Sequence, residues 1–287
     1  MLGHKVFQTA SANFQDTWCT LRGGVADYPV SALEVFRTNR IVEHVDVTDF
    51  RAVSGVLDRL RPNVVVNCVG VVKQRPEANE AIASITINAV LPHRLAAALD
   101  VWGGRLVHIS TDCVFDGVRG SYTEDDQPNA VDLYGRTKAL GEVVSSNTIT
   151  LRTSIIGREL RSHRSLLEWF LARNHSEVKG FQNVWWSGVT TNHLADLICL
   201  LVRKDADLSG LYQVSSGRIS KYELLLLLRT AYDLDVEVLA ENEHVLDRTL
   251  VGKKLEVTIG YRCPPWHELL SQLVQDPTPY TRSNENF

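Results

Sequence analysis

Residues 63–70 read NVVVNCVG, a run of valines closed by Gly70. A strand with one wet face alternates polar and apolar side chains, whereas an unbroken apolar run of this length suits a strand covered on both faces of a parallel sheet. The flanking segments agree with that reading. Before it, DFRAVSGVLDRL (49–60) has the spacing of an amphipathic helix, with Asp49 placed to cap its N-terminus. Earlier still, DTWCTLR (16–22) and IVEHVDV (41–47) read as strands, and MLGHKVFQTASANF (1–14) repeats Leu2, Val6, Phe7, Ala10 and Phe14 at helical spacing. After it come a long helical stretch (81–100), strand GRLVHIS (104–110), a polar loop, helix DLYGRTKALGEVVSS (132–146) and strand TITLRTS (148–154). Strand and helix alternate to about residue 154, which predicts an α/β fold with a Rossmann-like, doubly wound parallel sheet. The remainder is mixed: helices SLLEWFLARN (165–174), SKYELLLLLRTAY (220–232) and PWHELLSQLV (265–274), with short strands in VWWSGV (184–189) and GLYQVSS (210–216). It reads as a smaller mixed α/β lobe that shares a cleft with the first.

Composition narrows the class of function. The 30 basic and 34 acidic residues give a formal charge of -4 and form no basic stripe, which argues against nucleic acid as a partner. Cys19, Cys68, Cys113, Cys199 and Cys263 are odd in number and widely spaced, unlike a disulfide framework or paired zinc half-sites. With no HExxH pattern either, no metal site is expected. The reading is a cytoplasmic protein in a reducing compartment. No apolar run is read as approaching the roughly 20 residues of a membrane span, and the start lacks the features of a signal peptide.

Tyr134 and Lys138 lie four residues apart in a helical segment, so their side chains share a face. An ammonium beside a phenol favours the phenolate and is expected to pull the tyrosine pKa down from about 10, fitting it for proton transfer. The same spacing also occurs on solvated helices with no chemical role. Upstream, VHISTDCVFDG (107–117) places Ser110 and Thr111 at the carboxyl end of a strand, where ligand crevices form in doubly wound sheets, although both residue types are also common turn formers.

Taken together, STDCVFDG, YTEDD and LYGRTKALGE resemble the extended short-chain dehydrogenase/reductases, and most closely the dTDP-4-dehydrorhamnose reductase-like branch that acts on nucleotide-activated sugars. The likeness spans nearly the whole chain: MLGH at the start, DVTD, NCVG, and GLYQVSSGRISKYELL in the second lobe. It implies reduction of a keto group on a nucleotide-linked deoxyhexose, serving synthesis of a surface polysaccharide precursor. Thr111 would polarise the keto oxygen, Tyr134 would donate the proton, and Lys138 would hold the nicotinamide ribose. The implied cofactor is NADPH, with NAD as the alternative: Arg22 falls where the adenosine ribose is read, and an arginine there pairs with the extra phosphate of NADP. Asp46 and Val47 match the adenine-contacting pair, Cys68, Val69 and Gly70 the turn beside the cofactor, and Asn88 a helix asparagine near the site. Asp46 also reads as a strand-end cap, and Asn88 as a helix-bending polar residue.

The family's glycine-rich turn has the form GxxGMLGH. Met1, Leu2 and Gly3 match its end, while its first two glycines and first strand have no counterpart, which predicts either a true start upstream or a cofactor-impaired relative. Cys113 stands where these reductases usually carry Tyr, and the NCVGVVKQ turn also departs from the pattern, pointing to a side branch with a different sugar substrate. An epimerase of the same fold remains open, as does a non-catalytic subunit such as the regulatory subunit of methionine adenosyltransferase. Homodimerisation, frequent in the family, is left open. The expected division is a dinucleotide-binding domain over 1–154, a substrate-binding lobe over 155–275 with 185–205 packing back on the first domain, and a flexible tail over 276–287.

Overall fold

A computed structural model describes residues 1–38, 40–71, 80–204 and 208–280. Strand β3 (Val64–Asn67) pairs in parallel with β4 (Arg105–Ile109), β4 with β5 (Thr148–Arg152), and β5 with β10 (Gly210–Gln213). Successive side chains of a strand point to opposite faces, so this sheet buries two separate apolar sets. Val64, Val66, Val107, Ile149 and Leu151 pack with α1 (Leu2–Asn13) and α7 (Thr191–Lys204), while Val65 and Leu106 pack with α2 (Phe50–Leu60) and α4 (Leu91–Asp100). Helices therefore cover both faces, and the carboxyl ends of the strands share one edge. Asp49 caps α2 by accepting from the Arg51 N–H at 3.0 Å.

Two strand readings need correction. β3 is the edge strand of the order β10-β5-β4-β3, so its three valines are half-buried instead of fully covered. Segments 16–22 and 41–47 contribute only β1 (Cys19–Thr20) and β2 (Ile41–Val42), paired in parallel in a sheet of their own. The chain leaves β2 through His44, whose φ of 59° breaks the extended run, and Val45 then returns to the Leu21 carbonyl.

The helix over 81–100 is continuous but not uniform: α3 (Ala81–Ser84) passes into a π-helical stretch, Ile85–Val90, before α4. Contrary to the sequence reading, this segment is long and apolar enough to cross a membrane by length and composition. Its Leu91, Leu95, Ala96 and Leu99 are packed against α2 and the sheet. Helix α5 (Leu133–Leu140) lies beside the π stretch.

In the second lobe, α6 (Leu166–Leu171), α8 (Lys221–Ala231) and α10 (Trp266–Val274) enclose a core with β7 (Ser176–Phe181) and β12 (Val236–Glu241). Trp186 of β8 (Val184–Trp186) joins that core; β8 pairs with β11 (Ile219–Ser220) and β13 (Leu246–Asp247). The short β6 (Ile155–Ile156) and β9 (Val189–Thr190) lead between the lobes, and α9 (Lys253–Ile259) packs on β10.

The tail expected from residue 276 is tethered over its described part; residues 281–287 lie outside the described residues. Asp276 pairs with Lys5 at 2.9 Å with both side chains buried. Thr278 accepts from Lys5 and Gln8, and the Tyr280 hydroxyl donates to Asp276 and lies 2.8 Å from His4 Nε2. Burial pushes the Asp276 carboxyl up, but hydrogen bonds from Lys5 and Thr278 outweigh it and hold the pKa at about 2. Burial and the adjacent amino terminus bring the His4 imidazole down to about 2. Both groups titrate lower in the folded than in the unfolded chain. Each therefore contributes stability that is present above its unfolded value, about 6.5 for His and about 4 for Asp, and is lost as pH falls. The melting temperature should start to drop below about pH 6.5. His4→Gln should make that drop shallower, with His108 and His193, also lowered by burial, supplying the remainder. An unchanged slope in the variant would show that the clasp between α1 and residues 276–280 is not acid-sensitive.

Candidate active site

After β4 the chain turns through Ser110, Thr111 and Asp112, all buried, at the carboxyl edge of the sheet. Thr111 caps a short 3-10 turn: its Oγ1 accepts from the Cys113 N–H and donates to Asp112 Oδ1, both at 3.1 Å. Helix α5 starts at the Asp132 cap, whose carboxylate accepts from the Gly135 N–H at 2.8 Å. The helix runs close over that turn at Gly135, and its C-terminal cap Gly141 runs close to the π-helical stretch, because glycine leaves room at both. A Cβ on Gly135 would overlap the Cys113 carbonyl oxygen, and one on Gly141 would overlap the main-chain oxygen of Asn88. The LYGRTKALGE spacing is thus steric as well as chemical.

Thr111, Tyr134 and Lys138 come together here. The Tyr134 phenol faces the Thr111 hydroxyl, with Cys113 and Asp112 beside it. Lys138, almost fully buried, donates from Nζ to the Ile109 carbonyl at 2.6 Å. Burial pulls its pKa down to about 8, against the raising effect of Glu142. One expectation is overturned, since the phenol pKa is raised, not lowered. Burial disfavours the phenolate, Cys113 adds to it, and the Thr111 hydroxyl offsets only part. The Lys138 ammonium is directed to a main-chain carbonyl and does not rank among the groups acting on the phenol.

The expected cofactor residues divide into two sets. Arg22 and Asp46 meet at the surface, Nε to Oδ2 at 3.7 Å, both exposed. Asp46 is held low chiefly by the Thr48 N–H, so its cap reading and its position beside Arg22 hold together. Val47 packs beside the α2 core. At the end of β3, Asn67 Oδ1 accepts from the Val69 N–H at 3.1 Å, and Asn88 Oδ1 accepts from the Val71 N–H at 2.9 Å. Asn88 also donates to the Val71 carbonyl and to Thr137 of α5, tying the chain after the Cys68-Val69-Gly70 turn to that helix. It sits in the π-helical stretch, a distortion common at functional sites. Met1 caps α1, Leu2 is buried in the core, and Gly3 lies over Cys68 with room for a methyl group, a Cβ meeting Cys68 Cβ at 3.7 Å. The Leu2 side chain is thus part of the core under the sheet.

Several site residues escaped the sequence reading because their partners are distant in the chain. Glu142 accepts from Ser110 Oγ, Arg152 Nε and Arg152 Nη2, each at 2.7 Å, in a nearly water-free pair. From the second lobe, Arg248 donates to the Phe115 and Asp116 carbonyls and reaches Cys113 Sγ at 3.7 Å. Burial pushes the Cys113 thiol up to about 12. Lys221 stands 4.0 Å from the Trp186 ring centroid and acts electrostatically on Asp112 and Cys113. Trp186, stacked on Trp266 at 5.4 Å, belongs to the second core, while half-buried Trp185 lies under Arg218. Glu142→Gln leaves Arg152 buried without a carboxylate and is expected to cost up to about 3–5 kcal/mol. It should also lower the Lys138 titration below about 8, read by NMR of its side-chain methylene against pH. An unmoved titration would mean that Glu142 does not act on Lys138.

Relatives and solved structures carry the same architecture. The chain is 34% identical over 190 residues to a dTDP-4-keto-6-deoxy-D-glucose reductase of Streptomyces niveus, covering 63% of this chain and 64% of that protein. It is 28% identical over 206 residues to methionine adenosyltransferase 2 subunit beta of Bos taurus, covering 67% and 61%. The chain thus spans less than two thirds of the length of these curated relatives. The solved dTDP-4-dehydrorhamnose reductase of Bacillus anthracis, in complex with NADP, superposes with a TM-score of 0.74 at 22% identity, covering 89% of this chain and 97% of that one. The family description RmlD substrate binding domain matches residues 26–278, and the chain belongs to that family.

Proposed function

We propose that this chain is an oxidoreductase of the short-chain dehydrogenase/reductase type that reduces a keto group on a nucleotide-linked deoxyhexose, in the cytoplasm, for a surface polysaccharide precursor. The observation that carries the reading is the convergence at the carboxyl end of β4 of buried Thr111 and Lys138 with the Tyr134 phenol, which faces the Thr111 hydroxyl while Lys138 is held on the Ile109 carbonyl. The 34% identical Streptomyces relative, named as a keto-sugar reductase, supports the substrate class.

The raised phenol pKa keeps Tyr134 protonated through the neutral range, the state a proton donor requires. Thr111, whose hydroxyl faces the phenol, would orient the keto oxygen, and Tyr134 would deliver the proton to that oxygen as it gains negative charge. Lys138, anchored on the Ile109 carbonyl, would bind a ribose hydroxyl of the cofactor. The residues present fit a dinucleotide. Arg22 is exposed beside Asp46 and suits the extra phosphate of NADP, and the Cys68-Val69-Gly70 turn is braced by Asn67 and Asn88. NADPH is the cofactor of this reading, with NAD as the alternative, and when bound it supplies the hydride.

A second reading, a non-catalytic subunit, is favoured by the likeness to methionine adenosyltransferase 2 subunit beta. The two separate on a turnover assay with a nucleotide-linked 4-keto-6-deoxyhexose, following NADPH absorbance. The reductase reading expects one NADPH oxidised per sugar reduced, and Tyr134→Phe should cut turnover by about a hundredfold or more with cofactor affinity retained. Comparable turnover in the variant would remove Tyr134 as proton donor. NADPH left unconsumed, with tight binding to a methionine adenosyltransferase catalytic subunit, would favour the second reading.

A further inference from the structure

Lys221 is held in an unfavourable position for a lysine. It is the first residue of α8, and that helix start is fixed by a reciprocal cap in which Ser220 Oγ accepts from the Glu223 N–H at 3.1 Å and Glu223 Oε2 accepts from the Ser220 N–H at 2.9 Å. A cation at a helix N-terminus opposes the helix dipole. Its ammonium lies over the face of Trp186, Nζ 4.0 Å from the ring centroid, and Trp186 is itself backed by Trp266. Among the described residues Nζ makes no hydrogen bond or ion pair; the groups that act on it are Asp112 and Cys113, the two residues that also border the Tyr134 phenol. Burial pulls the ammonium pKa down to about 8, so it is poorly solvated yet still charged at neutral pH. Of the two groups that act on it, the Cys113 thiol is uncharged and is reached by the cationic Arg248, and Asp112 is pushed up by burial although Lys221 and Arg248 draw it down. The dipole and the desolvation oppose the charged lysine in the free protein, and Asp112 and the Trp186 face offset them only in part, since the pKa stays lowered. A single anionic ligand group would offset both.

We infer that Lys221 is a substrate-binding residue that takes a phosphate oxygen of a nucleoside diphosphate, thereby setting the orientation of the linked sugar toward Thr111 and Tyr134. The inference rests on the nucleotide-sugar reading above. The formal charge of such a substrate lies on its diphosphate, so an unpaired ammonium is answered there and not by the sugar hydroxyls. The capped helix and the Trp186 face fix the ammonium, which makes Lys221 a positional reader as well as a counter-charge.

The test is calorimetric titration of the full chain with thymidine 5′-diphosphate, with uridine 5′-diphosphate, and with thymidine, for the wild type, Lys221→Met and Lys221→Arg. Charge-assisted hydrogen bonds contribute enough that Lys221→Met should weaken diphosphate binding by about tenfold to a hundredfold. Its thymidine binding and NADPH binding should be unchanged, and Lys221→Arg should recover most of the diphosphate affinity. Equal diphosphate affinity in wild type and Lys221→Met overturns the role of Lys221 while leaving the nucleotide-sugar reading in place. If the wild type binds neither diphosphate, the nucleotide-sugar reading fails and this inference falls with it.

Discussion

The Glu142 carboxylate accepts from Ser110, just beyond β4, and twice from Arg152 on β5, and the turn after β4 takes its position from that contact. A paired charge in so dry a place is stable only with its full set of partners, which makes the local geometry all-or-none. Glu142 also follows α5 directly, so the segment that carries Tyr134 and Lys138 is fastened to the strands that carry Ser110 and Thr111. The Lys138 bond to the Ile109 carbonyl closes the same loop from the opposite side. Arg152 extends the brace outward over the ring of Phe115, 5.1 Å to its centroid, and Phe115 in turn stacks on Tyr122 at 4.0 Å.

Burial is the dominant electrostatic influence in this site. It raises the Tyr134 phenol, the Cys113 thiol and the Asp112 carboxyl, and it lowers Lys138 and Lys221. Each shift favours the neutral form, as expected when ionisable groups are withdrawn from water. The phenol is thereby kept protonated through the neutral range. Asn88 supplies the mechanical counterpart: a single side chain in a π-helical turn links the loop after β3 to Thr137 of α5.

The parts of this arrangement that are local in sequence were legible there. The valine run of β3, the Asp49 cap and the Tyr134–Lys138 spacing each depend on residues within one element, and each was read from periodicity or spacing. What depends on distant partners was not. Arg248 reaches Cys113 across 135 positions, and Lys5 reaches Asp276 across 271, which is why a polar segment that looked like a tail is a clasp. The lowering of the Tyr134 pKa expected from Lys138 failed for a related reason: helical spacing shows that two side chains share a face, but the destination of the ammonium, the Ile109 carbonyl, is set by the sheet beneath. β3 was read as covered on both faces because composition reports apolar character and not sheet position, and β3 is an edge.

The central claim is that the turn after β4 and helix α5 form a reductive site for a keto sugar. It is tested most directly by incubating the protein with NADPH deuterated at the nicotinamide C4 position and a nucleotide-linked 4-keto-6-deoxyhexose, then weighing the sugar product by mass spectrometry. The account predicts one deuterium on the sugar carbon that was the ketone, with one equivalent of NADPH oxidised. A sugar recovered unlabelled, with NADPH intact, would contradict it.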